Sequence, residues 1–276
     1  MAKESGRLID AMYEIAEAAQ PITGRGVGYQ LFTRGLVPSM YTNDMKKVYR
    51  LLKIAREQGA IPWEWVVDET RELEQVATWR NPAQFVRTVR HAYRRDAWAD
   101  QPVRVEVWSE KGTIRGVLGP VLNEYGVGFR VMHGFGSATS VHGAAQEEQD
   151  RTLVVLYVGD WDPSGLYMSD HDLPDRLEKY GGEHVIVERI ALLSEDLEAL
   201  PSFAASTKRS DTRYNWFTGQ YGDRCWELDA MDPNDLRDRV EWAISNKIEP
   251  AAWQRYLTAQ AAEQESLQTL LDRWVA

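Results

Sequence analysis

The second half of the chain alternates short apolar segments with longer amphipathic ones, and this pattern constrains the fold more than any other feature. The apolar segments are nearly unbroken, as expected of strands buried on both faces, and helical periodicity separates them. Repeated β-α units of this kind form a parallel sheet covered by helices. We predict a strand over 103–109, a helix over 112–125, a strand over 128–133, a helix over 138–149, a strand over 152–158, a helix over 164–180 and a strand over 184–190.

Two of these strands end in acidic residues. The strand over 152–158 leads into Gly159-Asp160-Trp-Asp162-Pro-Ser-Gly165, and Glu110 follows the strand over 103–109. Extended backbone can point both aspartates to one side, and open α/β sheets bind ligands at the carboxyl ends of their strands. Carboxylates about 6 Å apart repel by roughly 3 kcal/mol at an effective dielectric near 20, a cost that Mg²⁺ would reverse. We therefore predict that Glu110, Asp160 and Asp162 bind Mg²⁺.

Asp162 also has a simpler interpretation. An Asp before Pro-Ser-Gly is a typical helix start, with Asp162 as the N-cap and Pro163 at the first helical position. Capping accounts for Asp162 but for neither Asp160 nor Glu110, so the three acids together favour the metal.

Composition indicates an ordinary globular protein with a substantial core. Of the 276 residues 43% are hydrophobic and 11 are Trp, and this length favours two domains. The single Cys225 excludes an internal disulfide. Because there is no apolar signal segment and no run of about 18 apolar residues, we expect a cytoplasmic protein without a membrane span.

The net charge of −10 is unevenly distributed along the chain. Residues 1–100 carry 15 Lys and Arg against 13 Asp and Glu, whereas residues 101–276 carry 17 against 29. Within residues 25–56 there are seven basic residues and one acid, Asp44. A local basic surface matters more to DNA than the total charge, so the N-terminal part is the predicted DNA-binding region.

The N-terminal part has the spacing of a helix-turn-helix. A helix near 5–19 precedes a short helix from about Arg25, a turn at 34–38 and a longer helix over 43–58. One face of the longer helix is apolar, and its basic residues lie on the other faces, where a merely solvated surface is the alternative to DNA binding. The predicted DNA contacts are Lys46, Lys47, Arg50, Lys53 and Arg56.

Together these patterns divide the chain into parts. We predict an N-terminal helical arm over 1–20, a DNA-binding domain over 21–98 and a sheet domain over 103–276. The DNA-binding domain would include a wing at 59–68 and another basic helix at 81–96. Residues 201–230 are less regular, and helices over 233–246 and 250–274 would end the chain.

These residues resemble a known family. Glu110 together with Gly159-Asp160-Trp-Asp162-Pro-Ser-Gly165 on a parallel sheet resembles the Toprim domain, the magnesium-binding fold of topoisomerases, bacterial primases and several nucleases. The second motif is most similar to that of topoisomerase VI A subunits and the related meiotic double-strand-break protein. There a winged helix carries a catalytic tyrosine four residues after an arginine, a spacing that Arg25 and Tyr29 reproduce. The resemblance covers roughly residues 20–200 and departs from the family at Gly28, where an aromatic residue is usual.

The resemblance implies a fold, a reaction and partners. The fold would be α/β, with an N-terminal winged-helix domain, then a Toprim-like parallel sheet domain with C-terminal helices. The reaction would be Mg²⁺-dependent cleavage of duplex DNA, as in the A subunit of a type IIB topoisomerase. Tyr29 would attack a phosphate, Arg25 would stabilise its charge, and Glu110 would bind metal and shuttle protons. The tyrosine and the acids would meet across a homodimer, and strand passage would need a separate ATPase subunit.

Two alternative functions stay open at this point. In the first, the chain is a Toprim nuclease in which metal-activated water attacks the phosphate. Tyr29 would then be a core aromatic, since it shares a helical stripe with Phe32 and Leu36. In the second, the chain is a non-catalytic DNA-binding subunit of a larger complex, with a structural or vestigial metal site.

Overall fold

The computed structural model describes residues 2–67, 77–132 and 138–275. Its N-terminal region is helical, and the predicted helices near 5–19, from Arg25 and over 43–58 are confirmed. The helices are α1 (Ala2–Ala19), α2 (Gly24–Thr33), α3 (Thr42–Glu57) and α4 (Pro82–Ala92). Two short parallel strands, β1 (Ile22–Thr23) and β2 (Val66–Val67), lie beside the first three helices. These helices share an apolar core that includes Met12, Ile15, Leu31 and Val48.

The segment after α3 differs from a simple extended wing. Residues 63–65 form a 3₁₀ turn before β2. Arg56 causes this, because its guanidinium donates to the carbonyl oxygens of Trp63 (2.8 Å) and Val66 (3.0 Å) and so holds the turn against α3. Residue 68, the end of the predicted wing, lies outside the described residues. The winged-helix assignment therefore stays a prediction.

Helix α4 ends at Ala92, four residues before the predicted end at 96. The residues that follow bond to the last helix of the chain instead of continuing their own. The Tyr93 hydroxyl donates to Glu263 at 2.6 Å, and the backbone N–H of Arg95 donates to the side chain of Gln260 at 3.1 Å.

A four-stranded parallel sheet forms the centre of the remaining chain, which confirms the predicted α/β class. Its strands are β3 (Val103–Ser109), β4 (Gly128–Val131), β5 (Thr152–Val158) and β6 (Val185–Ala191), in the spatial order β4-β3-β5-β6. The connecting helices are α5 (Ile114–Tyr125), α6 (Ala138–Gln146), α7 (Pro163–Tyr167) and α8 (Leu173–Lys179). Strand β4 ends two residues before the predicted 133, a position that lies outside the described residues.

Alternation along β5 shows that both faces of the sheet are covered. Val154, Leu156 and Val158 pack into one apolar core, which includes α5 residues, while the intervening residues Leu153 and Val155 pack into a second core with α6 and α8 residues. All five are at most 4% exposed. Burial on both sides explains why this strand is a continuous apolar run in the sequence.

The predicted helix over 164–180 is interrupted by a wider turn. Residues Met168–Asp172 form a π-helical turn between α7 and α8, and the N–H of Leu173 donates to the carbonyl of Met168. Pro174 explains the interruption, because proline has no N–H to donate and its ring crowds the carbonyl four residues earlier.

The C-terminal part of the chain contacts the N-terminal region. It contains the antiparallel pair β7 (Phe203–Ala204) and β8 (Arg224–Cys225), then α9 (Tyr214–Tyr221), α10 (Pro233–Ser245) and α11 (Pro250–Val275). Arg237 on α10 donates to the carbonyl oxygens of Ala19 and Pro21 at 3.2 Å, so this helix fixes the chain between α1 and β1. Among the described residues no helix is both long and apolar enough to cross a bilayer.

Candidate active site at the carboxyl ends of β3 and β5

The strand order places the predicted acids at one point of the sheet. The chain runs outward from β3 to β4 on one side and from β5 to β6 on the other, so β3 and β5 are the adjacent central strands. Trp108 near the end of β3 pairs with Tyr157 near the end of β5, and Glu110 and Asp160 follow directly. Ligands of open α/β sheets bind beyond the carboxyl ends of the strands where the strand order reverses in this way.

Glycines allow the tight turn after β5. A Cβ added to Gly159 would lie 2.6 Å from a ring carbon of Tyr157, and one added to Gly165 would collide with the backbone oxygen of Asp160. The predicted cap is confirmed, since an Asp162 side-chain oxygen accepts the N–H of Gly165 at 2.7 Å, with Pro163 in the first turn of α7. The turn therefore presents both aspartates at the strand end, with one oxygen of Asp162 occupied by capping.

Arg189 fixes this turn, although no sequence pattern had selected it. Arg189 on β6 donates to the carbonyl oxygens of Gly159 (2.9 Å), Gly165 (3.0 Å) and Leu192 (2.9 Å), and also to that of Asp160. Burial lowers the pKa of this guanidinium. Because it binds carbonyl oxygens on both sides of the acidic residues, Arg189 sets the position of the whole motif.

Two lysines pair with the aspartates. Lys111 Nζ lies 2.8 Å from Asp160 Oδ1 and 2.8 Å from Asp229 Oδ2, and Lys208 Nζ lies 3.0 Å from Asp162 Oδ2. Burial disfavours the charge of Lys111, but Asp160 and Asp229 outweigh it and raise its pKa well above the usual value. Burial raises the pKa of Asp160 despite this pairing. The site is thus a network of alternating charges rather than a bare acidic cluster.

Glu110 is the third predicted acid and lies within electrostatic reach of the other two. Burial, followed by the charges of Asp160 and Asp162, raises its pKa to about 7. Three carboxylates are suitable donors for a hard cation such as Mg²⁺. Within the described ranges, however, no three Asp, Glu, His or Cys side chains are arranged to hold one metal ion. The donor chemistry fits the metal, while the oxygens of the two aspartates are directed to lysines.

A second acidic pair reaches the site from the irregular segment before α10. Trp161 and Trp226 exchange backbone hydrogen bonds of 2.9 Å, which joins residues 226–229 to the turn after β5. The N–H of Leu228 then donates to Asp160 Oδ1 at 2.7 Å. This connection brings Glu227 and Asp229 to the same edge of the sheet. Neither was predicted, because no periodic pattern marks this segment.

These two acids hold the start of α2. Arg25 Nε donates to Glu227 at 2.6 Å, and the Thr23 hydroxyl, which caps α2, donates to Asp229 at 3.3 Å. Burial alone would lower the pKa of Arg25, but Glu227 raises it above the usual value. Since Glu227 and Asp229 also lie near Lys111, one chain of charges runs from Arg25 to the acids of the sheet.

Tyr29 lies one helical turn beyond Arg25, with the guanidinium 5.7 Å from its ring centre. The tyrosine is only 4% exposed. Burial, and then the charge of Glu227, raises the pKa of its hydroxyl. Arg25 and Tyr29 lie beside Glu227 of their own chain, and the dimer that the family resemblance implied stays a prediction.

Gly28, the departure from the family pattern, has a packing explanation. A Cβ at this position would overlap the end of the Met45 side chain, and Met45 is a buried residue of α3. The glycine thus allows α2 to lie close to α3 immediately before Tyr29.

The predicted DNA-binding residues on α3 are not equivalent. Lys46, Arg50 and Lys53 are exposed, although Lys53 lies 3.5 Å from Glu57 in an ion pair. Lys47 is half-buried. Arg56 is committed to the carbonyl oxygens of the turn that follows α3, so its observed role is structural.

No protein-family model matches this chain, and a comparison with curated proteins finds no relative. The Toprim and topoisomerase VI resemblance therefore stays a prediction from the residues. What the structure adds is the charge network that links Arg25 to Asp160 through Glu227 and Lys111.

Proposed function

We propose that this chain cleaves duplex DNA in a Mg²⁺-dependent transesterification with Tyr29 as the nucleophile, in the manner of a type IIB topoisomerase A subunit. One observation supports this most strongly. Arg25 and Tyr29, which were selected by spacing alone, lie against the charge network that contains Asp160, through Glu227 and Lys111. The two halves of the motif are far apart in sequence, and nothing in their spacing requires this contact.

The residues of the chain would share the chemistry as follows. The Tyr29 oxygen forms a bond to phosphorus while the bond from phosphorus to the sugar oxygen breaks, and the DNA strand becomes linked to the protein. Glu227 is the carboxylate that acts most strongly on Tyr29, which makes it the candidate acceptor of the phenolic proton. Arg25 stabilises the negative charge on the phosphate. The departing sugar oxygen takes up a proton, for which Glu110 is the candidate donor.

Glu110, Asp160 and Asp162 would hold the metal. When bound, Mg²⁺ supplies positive charge to the phosphate and to the sugar oxygen. Binding requires the aspartates to exchange their lysine partners for the ion, which leaves the ammonium groups of Lys111 and Lys208 available to other anions.

The partners in this proposal are those of the resembling family. Duplex DNA would lie along α3 and contact Lys46, Arg50 and Lys53, which are exposed. A homodimer would cut two strands with two-fold symmetry, and a separate ATPase subunit would be needed for strand passage. We place this activity in the cytoplasm.

The test is denaturing electrophoresis after incubation of the chain with labelled duplex DNA and Mg²⁺. We expect DNA linked to the native chain and none linked to Tyr29→Phe. Tyr49→Phe is the matched control, since Tyr49 lies on α3 and also senses the charge of Arg25. Absence of linked DNA with the native chain would overturn the proposal.

A hydrolytic nuclease is the second candidate, and the burial of Tyr29 favours it. A tyrosine that is 4% exposed and whose pKa is raised by burial is a poor nucleophile unless the site opens. In that case Tyr29→Phe would continue to cut DNA and leave unmodified ends.

The lysine pairs favour a third candidate, a DNA-binding subunit without catalysis. Both aspartates already have ammonium partners, so lysines occupy carboxylate oxygens that a metal would need. DNA binding that persists in Asp160→Asn with no cutting by the native chain would support this function.

A further inference from the structure

A cavity of about 590 Å³ lies between α2 and the irregular segment before β8. Its size is within the range of about 300–1,000 Å³ that small-molecule sites occupy. Tyr29 lines it, together with residues 38–41, 201–203 and 207–208. The cavity is therefore next to the proposed nucleophile, and the proposed function does not explain its shape.

One part of the lining is cationic. Lys208 and Arg25 both line the cavity, and their side chains are 40% and 41% exposed. Arg25 uses Nε and Nη2 on Glu227, and because a guanidinium has five N–H donors, further donors remain. Lys208 has one recorded ion-pair partner, Asp162, for an ammonium group with three donors. The two cations can therefore donate to an anion in the cavity.

The carboxylates near this part do not exclude an anion. Glu227 lines the cavity but is held by Arg25, and Asp162 is held by Lys208 and by the N–H of Gly165. These two carboxylates are thus already paired with positive groups. A phosphate could share the cations with them.

Another part of the lining is aromatic. Phe32, Tyr41 and Phe203 all contribute to the wall. Tyr41 is 74% exposed, which is a large exposed fraction for a tyrosine beside a cavity. Aromatic rings on a nucleic-acid-binding surface stack on bases, and every base has a face that can stack.

We propose that this cavity binds one unstacked nucleotide of the DNA substrate, with its base against the aromatic wall and its phosphate at Lys208 and Arg25. This inference rests on the proposed function for the identity of the ligand as DNA. It assigns Lys208 as a phosphate-binding residue and Tyr41 as a base-stacking residue. A nucleoside monophosphate is the smallest ligand that contains both features.

The test is isothermal titration calorimetry of the full chain in EDTA with thymidine 5′-monophosphate, thymidine and inorganic phosphate. We expect the monophosphate to bind more tightly than either fragment. Lys208→Ala should weaken monophosphate binding about tenfold, the effect of losing one hydrogen bond to a charged group, and leave thymidine binding unchanged. Tyr41→Ala should weaken both thymidine and the monophosphate.

Arg209→Ala is the matched control, because Arg209 is exposed, adjacent to Lys208 and absent from the cavity wall. It should bind the monophosphate like the native chain. Equal affinity for thymidine and its monophosphate, or native affinity in Lys208→Ala or Tyr41→Ala, would overturn the assignment, as would an equal loss in Arg209→Ala. Circular dichroism of each variant verifies folding.

This measurement is independent of the cleavage test because it uses neither Mg²⁺ nor duplex DNA. A chain that forms the covalent DNA link but does not bind the monophosphate would refute the cavity assignment alone. A chain that binds the monophosphate but forms no link would refute only the tyrosine mechanism.

Discussion

The sheet edge and the irregular segment over 201–230 both contribute charged residues to the site, but those of the irregular segment could not be selected from the sequence. Glu110, Asp160 and Asp162 follow strands β3 and β5, whose bounds agree with the prediction at both ends. The irregular segment carries Lys208, Glu227 and Asp229, which the sequence pattern did not select. The difference shows that residues directly after regular strands can be selected from the sequence, whereas those in an irregular segment are recognised only in the folded structure.

The two regions are also held together differently. The sheet edge is fixed by the guanidinium of Arg189, which donates to the carbonyl oxygens of Gly159 and Gly165. The irregular segment is attached by the backbone bonds between Trp161 and Trp226 and by partly exposed ion pairs such as Arg25 with Glu227. We therefore expect substitutions at the sheet edge to destabilise the whole fold, and those in the segment to act locally.

The largest effect is expected from Arg189→Met. The change leaves several buried carbonyl oxygens, including those of Gly159 and Leu192, without a donor. Each buried carbonyl oxygen left without a donor costs about 1–3 kcal/mol, so we expect a loss of about 3–5 kcal/mol of unfolding free energy. Urea denaturation measures it, with the exposed Arg209→Met as a control that should change stability by less than about 0.5 kcal/mol. A loss below about 1 kcal/mol for Arg189→Met would show that the sheet edge does not depend on this residue.

Lys111→Met is expected to have the next largest effect, because Lys111 connects the two regions. It removes the ammonium group shared by Asp160 and Asp229, and we expect a loss of about 2–3 kcal/mol because the site is half-buried. Mg²⁺ should restore more thermal stability to this variant than to the native chain, since it would replace the missing positive charge. Melting curves with Mg²⁺ and with EDTA test this. An equal response in both proteins would contradict the metal site.

Glu227→Gln is expected to act only on the segment and on α2. The ion pair with Arg25 is partly exposed, so its loss should cost about 1 kcal/mol. Hydrogen exchange should become faster in Gly24–Thr33 and remain unchanged in β3 and β5. Faster exchange in the strands would mean that the two regions are not separately stabilised.

Asp196→Asn is expected to have the smallest effect on stability, and this effect should depend on pH. Burial raises the pKa of Asp196, but the bonds from Arg239 at 2.6 Å outweigh it and hold the pKa below its usual range. A folded-state pKa below the unfolded value contributes stability above about pH 4, which is lost as the pH falls through the folded value. Native stability should thus exceed that of the variant by about 1 kcal/mol at pH 7, and the two should converge at low pH in urea titrations. A difference that is constant with pH would contradict the ion pair.

Periodicity explains which parts of the fold could be predicted. Buried strands such as Thr152–Val158 are continuous apolar runs, and Asp162 had a recognisable cap sequence, so both were read directly. The interruption at Met168–Asp172 was missed because a single proline, Pro174, breaks an otherwise helical pattern. The bonds of Arg189 were not predictable, because a charged residue within a strand gives no signal of which carbonyls it will meet.

The residues of the site were likewise predictable only in part. Arg25 and Tyr29 were selected by their spacing, but their contact with the acids in one chain depends on Glu227 and on the bridge from Trp161 to Trp226. The bond from Arg25 to Glu227 joins residues 202 positions apart, and no local pattern specifies it. Contacts between residues so far apart in the chain cannot be predicted from one sequence.

The central claim is that Tyr29 acts with the strand-end acids to break DNA, and the most direct measurement is mass spectrometry of the protein after the reaction. The chain is incubated with duplex DNA and Mg²⁺, treated with nuclease and digested with trypsin, which releases residues 26–34 as a peptide with Tyr29 as its single tyrosine. We predict a nucleotide attached to this peptide. Cut DNA with no modified peptide, or a nucleotide on a different peptide, would contradict the account.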